Sequence, residues 1–137
     1  MHKQIQDFIL SQKVLHLGII DNDCGVYCAS CYYAFDALNI TLIFASHNNT
    51  KHIQLASKHP NVSVSIACDN KSICLIKGIQ AKAYFTKANK KQEKIYFDRF
   101  PFAKFTEANL YSLEIYWAKY TDNKKLFCKK LEFQRCL

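Results

Sequence analysis

Short β-forming runs follow one another along this chain with little but polar turns between them, and that order restricts its fold more than any other feature. Residues 14–20 are apolar and β-branched, Asp21-Asn22-Asp23-Cys24-Gly25 reads as a turn, and 26–35 is a second run, so the pair predicts a hairpin. Residues 36–39 turn into 40–45, which is strongly β-forming. Residues 62–68 alternate, with Val62, Val64 and Ile66 on one face and Ser63 and Ser65 on the other, as a strand with one buried face requires. A turn at 69–72 leads to a long run at 73–85, and further runs occupy 110–120 and 126–133. Three short helices interrupt the series. Residues 2–12 place Ile5, Phe8 and Ile9 on one face; 50–58 turn Ile53 and Ala56 or Ser57 inward, with Asn49 or Thr50 as N-cap; and 87–99 set Ile95, Tyr96 and Phe97 against a charged face. Hairpin succession favours a mainly β, antiparallel sheet closed into a small barrel over a doubly wound parallel sheet, and closure protects strands that carry few prolines. At 137 residues the expectation is a single domain over 1–137.

Composition matters at three points. With only 3 glycines, neither G-x-G-x-x-G nor G-x-x-x-x-G-K can be written, so any bound phosphate is held by side chains and ordinary loop amides. No apolar run approaches the roughly 20 residues of a membrane-spanning helix. The polar start Met1-His2-Lys3-Gln4 lacks the apolar core of a secretory signal, so the expected location is the cytoplasm, with no membrane partner. The net charge of +8 favours anionic ligands, but no nucleic-acid motif is present and the aromatics follow strand periodicity, so nucleic acid is not expected as a partner.

The order of segments resembles a known superfamily. Tyr32-Tyr33-Ala34-Phe35-Asp36, Ile43-Phe44-Ala45-Ser46, Thr50-Lys51-His52 and His59-Pro60-Asn61-Val62 are similar to the pyridoxamine-5′-phosphate-oxidase-like FMN-binding split barrels. Ile76-Lys77-Gly78-Ile79-Gln80, Arg99-Phe100-Pro101 and Lys119-Tyr120-Thr121-Asp122-Asn123 resemble its small YhbP-like branch, whose activity is not established. The resemblance implies an antiparallel split barrel of the FMN-binding type, and a homodimer with the flavin across the interface. It matches the strand-end hydroxyl that grips the phosphate to Ser46, and the cluster opening the next helix to Thr50, Lys51 and His52. It lays the flavin ring along Ser30, Cys31, Tyr32 and Tyr33, and makes Lys119 and Asn123 contacts from the partner subunit.

The phosphate assignment agrees with the residues themselves, because a helix N-terminus presents unpaired amides and a positive dipole end. Two departures weaken the grip. The arginine and lysine that the oxidases carry on the second strand fall on Cys28 and Tyr33, and His52 replaces the second basic residue of the cluster. The implied function is FMN binding, with flavin-dependent oxidoreduction of an unnamed substrate as the associated chemistry. No residue stands out as acid, base or nucleophile, and in flavoenzymes the cofactor carries the redox step. The alternative is a non-catalytic split barrel holding haem or another planar ligand, with His47, His52 or Cys31 as axial ligand.

Cys24, Cys28 and Cys31 match C-x-x-x-C-x-x-C, a spacing that can hold an iron–sulfur cluster. Ligation needs three thiolates converging from a flexible loop, whereas Cys28 and Cys31 lie in a β-forming run, where residues three apart face opposite sides. An odd total of 7 cysteines without an export signal also disfavours a disulfide framework. His47, His52 and His59 lack the spacing of a zinc site. Protein purified without oxygen is therefore expected to show no iron–sulfur absorption in its visible spectrum; such a band would overturn the strand reading of 26–35.

Overall fold

The computed structural model describes residues 1–68, 77–122 and 129–136. The elements run α1 (Lys3–Ser11), β1 (Val14–Ile20), β2 (Val26–Asp36), β3 (Thr41–Ser46), α2 (Lys51–Lys58), β4 (Asn61–Cys68), β5 (Lys77–Lys87), α3 (Lys90–Arg99), a 3-10 turn (Pro101–Phe105), β6 (Asn109–Asp122) and β7 (Lys129–Gln134). Among the described residues every strand pairing is antiparallel, in the order β3-β2-β1-β4-β5-β6-β7, and a further pairing of β3 with β6 closes six strands into a barrel. β7 is the extra strand outside that circuit.

β6 makes both closure and extension possible because, at 14 residues, it is the longest of the described strands. One side pairs with β5 along its length. The other side pairs first with β3, from Ser46↔Asn109 to Thr41↔Glu114, and then with β7, from Trp117↔Gln134 to Asp122↔Lys129. A bulge between Lys82 and Ala83 in the β5–β6 register lies where β6 changes partner. A bulge sharpens local twist, which is how a strand leaves one neighbour for another. Arg135 pins this junction. Its Nε donates to the Ile115 carbonyl at 2.9 Å, and its Nη2 donates to the Asn39 carbonyl at 2.9 Å, tying the chain end to the β2–β3 turn.

Period-two alternation fills the barrel. Leu15, Leu17 and Ile19 of β1, Val62, Val64 and Ile66 of β4, and Ile79, Ala81, Ala83 and Phe85 of β5 all point inward and are buried. The helices plug the two ends. Phe8 of α1 meets Tyr120 late in β6, with ring centroids 5.4 Å apart, while His52 of α2 lies against Phe44, level with Tyr111 early in β6. α3 packs outside the barrel, where Tyr96 joins Ala34, Ile43 and Leu110 in a second buried cluster. Tyr33–Phe35 and Leu42–Phe44 are thus covered on both faces, which is why they read as unbroken apolar runs.

The third helix departs from its expected span of 87–99. β5 continues through Lys87, paired with Tyr111, and the helix starts at Lys90. Asn89 decides the start: its Oδ1 accepts from the Gln92 N–H at 2.9 Å, and the Gln92 side chain accepts from the Asn89 N–H at 2.9 Å. Of its three expected inward residues only Tyr96 is fully buried. The strand expected at 73–85 is described from Lys77 and runs on to Lys87; its first residues lie outside the described set. The last strand, expected at 126–133, is described from Lys129 to Gln134.

Leu113 is fully buried on β6, where it pairs with both Leu42 and Phe85. Leu113→Ala is expected to destabilise the protein by about 2–5 kcal/mol, the usual range for a buried Leu truncation, read as a lowered midpoint in urea unfolding.

Candidate functional site

β3 ends at Ser46, a short turn follows, and α2 leaves from it. This geometry brings three polar side chains together: Ser46 Oγ lies 2.9 Å from His52 Nε2 and 3.3 Å from Thr50 Oγ1. Thr50 occupies the N-cap position, but its hydroxyl does not cap the helix; it donates to the His47 carbonyl at 2.9 Å. The first-turn amides of α2 are therefore left without a side-chain cap, beside two hydroxyls and an imidazole. His52 is half-buried against the Phe44 ring, and that desolvation lowers its pKa below the usual 6.5. Near pH 7 it is a neutral hydrogen-bonding group, not a cation.

Lys51, the formal charge expected to hold a phosphate, is directed elsewhere. Its Nζ forms a 2.9 Å ion pair with Asp21 of the β1–β2 turn and lies over the Tyr27 ring at 4.8 Å. The pairing raises the Lys51 pKa and lowers that of Asp21. Asp21 carried no signal of its own in the sequence beyond turn chemistry; only the packing of that hairpin turn against α2 makes it a neighbour of the site.

The expected ring contacts on β2 divide by strand alternation. Ser30 and Tyr32 lie on the outer face: Ser30 Oγ is 2.9 Å from His16 Nδ1, and Tyr32, 61% exposed, sits against Phe100 with centroids 6.0 Å apart. Cys31 packs inward, where burial pushes its thiol up to about 11. Tyr33 is a core residue. Its hydroxyl donates to the Ile9 carbonyl at 2.5 Å, its N–H donates to the Lys13 carbonyl, and its own carbonyl accepts from Arg99 Nη1 at 3.0 Å. Arg99 also donates to the Gln12 carbonyl through Nη2, so it fastens α3 to both β2 and the end of α1. Cys28 is exposed on the side opposite Cys31, and Cys24 sits in the turn with φ 68°.

The β2–β3 pairing ends at Tyr33↔Phe44, two residues short of Ser46 on β3, so the ring candidates in the middle of β2 adjoin the end of β3 that carries the Ser46 cluster. Lys119 does not join them. It lies about 30 Å along β6 from Asn109, the pairing partner of Ser46, at roughly 3.3 Å per residue. Asn123 lies outside the described residues.

A closed six-stranded antiparallel barrel with helical plugs is a split-barrel protein, and solved structures agree. The chain superposes on Campylobacter jejuni ChuZ with a TM-score of 0.76 and 15% identity, over 96% of this chain and 58% of that one. It superposes on a heme-binding protein from Mycobacterium smegmatis with a TM-score of 0.75 and 9% identity, over 90% of this chain and 53% of that one. A FAD-binding protein from Mesorhizobium loti gives a TM-score of 0.69 and 16% identity, over 84% of this chain and 87% of that one. No family model matches the chain. A UPF0306 protein of Campylobacter jejuni is 48% identical over 98% of this chain and 99% of its own length, and one of Serratia proteamaculans is 34% identical over 97% and 94%. The chain belongs to the UPF0306 family.

The environment of His52 has a measurable consequence. Unfolded, a histidine takes up its proton near pH 6.5; folded, His52 does so at lower pH. Its contribution to stability is therefore complete above about pH 6.5 and is lost as the pH falls towards the folded pKa, because the unfolded state binds more protons there. An NMR titration is expected to place the His52 midpoint below 6.5, and His52→Gln is expected to flatten the matching part of the Tm–pH curve.

Proposed function

We propose that this chain is an FMN-binding protein of the YhbP-like branch, with the flavin phosphate held where β3 meets α2. The observation that carries this reading is the convergence of Ser46, Thr50 and His52 at 2.9 and 3.3 Å beside an N-terminal helical turn that no side chain caps. Two hydroxyls, a neutral imidazole and unpaired amides suit phosphate oxygens, which accept hydrogen bonds. Lys51, the first helical residue, is the cation for that group once it leaves Asp21. Ser30 and Tyr32 on the outer face of β2 line the ring, and the Cys31 and Tyr33 positions contribute backbone.

In this reading FMN supplies the redox chemistry of an oxidoreductase, while the chain binds and orients the flavin. A second copy completes the site by bringing Lys119 and Asn123 to it, since Lys119 of the same chain is far along β6. The homodimer works in the cytoplasm as a single split-barrel domain per chain. Haem is the second reading, favoured by the likeness to a heme-binding split barrel. The flavin reading is preferred because two of the three axial candidates are committed: His52 Nε2 is engaged by Ser46, and the Cys31 thiol is inward and raised to about 11, which leaves exposed His47 for a haem.

Titration of purified protein with FMN is expected to quench flavin fluorescence saturably at or below tens of micromolar, and Ser46→Ala with His52→Ala to weaken binding by about tenfold or more. Equilibrium sedimentation is expected to give twice the 15.9 kDa chain mass. No saturable quenching, together with a Soret band on haem addition, would replace flavin by haem.

A further inference from the structure

A helix N-terminus with a lysine in its first turn attracts an anion, and here the chain supplies one itself. Asp21 is held firmly at the head of the β1–β2 turn. Its N–H donates to the Gly25 carbonyl at 2.9 Å, and its Oδ1 accepts from the Asn22 N–H at 2.7 Å, leaving Oδ2 for Lys51 Nζ at 2.9 Å. The Asp21 side chain is 15% exposed and that of Lys51 is 54% exposed, so the carboxylate is the anchored partner and the lysine the one with room to move. Asp23 in the same turn adds to the negative field at Lys51, and Tyr27 lies under its ammonium. Between turn and helix lies a cavity of about 310 Å³, lined by Asn22, Asn49, Lys51, Gln54, Leu55 and Lys58.

Among the described residues no cation is bonded to the Ser46 cluster, His52 being neutral there, and Lys51 opens the helix that follows it. We propose that Asp21 is a built-in competitor for Lys51, so that a ligand at the site gains this lysine only when its terminal phosphate monoester displaces the carboxylate. The proposal rests on the phosphate reading above and sharpens its ligand class. A monoester carries close to two negative charges near pH 7 and wins the lysine from a singly charged carboxylate. A phosphate-free flavin has nothing with which to compete. The contact thus acts as a charge filter on Lys51.

The test is a set of fluorescence titrations on the full chain with FMN and, as the phosphate-free probe, riboflavin. Asp21→Asn keeps the acceptor oxygen for the Asn22 amide and removes the charge; Asp21→Ser is the second variant, should the first disturb the turn. Either is expected to lower the FMN Kd about three- to tenfold, the scale of one exposed ion pair plus one repulsive charge, and to leave riboflavin within about twofold. In a Lys51→Ala background the gain is expected to shrink below about twofold. FMN binding that is unchanged or weaker in both folded Asp21 variants, with wild type binding normally, overturns the competitor and leaves the phosphate site standing. Failure of every protein, wild type included, to bind FMN removes the phosphate reading and the competitor together.

Discussion

The pairing of β3 with the first part of β6 is the contact on which the rest of this structure depends. Without it the sheet has an open edge at β3, and the apolar faces of Leu42 and Phe44 have no barrel to fill. With it, Ser46 is fixed opposite Asn109 at the barrel end, and the chain must turn there into α2. His52 then falls against Phe44, which itself lies tilted against Phe85 and Tyr111. The polar cluster therefore rests on an aromatic floor, and its geometry is as rigid as the closure beneath it.

Electrostatics at the cluster follow from the same packing. Desolvation by the barrel end keeps His52 neutral, while the neighbouring hairpin turn brings Asp21 to Lys51. A basic chain has in this way built a polar site whose nearest charges cancel. Such a site distinguishes ligands by hydrogen-bond geometry and by how much charge they concentrate, not by overall attraction to anions.

Much of the scaffold was legible along the chain. The clean alternation of Val62, Val64 and Ile66 placed β4, and the turn cluster from Asp21 to Gly25 placed the first hairpin, because both signals are local. The third helix was misplaced at its start, since Lys87 has a strand partner in Tyr111, 24 residues away, that no local pattern announces. Ser46, Thr50 and His52 were legible as neighbours because they bracket one strand-to-helix turn. For Tyr33 the sequence left ring contact and barrel packing equally open, and burial under α1, where the Ile9 carbonyl receives its hydroxyl, decided for packing.

What the sequence by itself determined is the set of strands, their antiparallel order and the short polar stretch after β3, since these arise from period-two alternation and turn chemistry within a few residues. What only the tertiary structure decided is the partnering of β3 with β6, the inward fate of Cys31 and Tyr33, and the capture of Lys51 by Asp21. Each of those depends on which surfaces meet when the sheet closes, and a pairwise ion contact between a hairpin turn and a helix has no trace in the spacing of either.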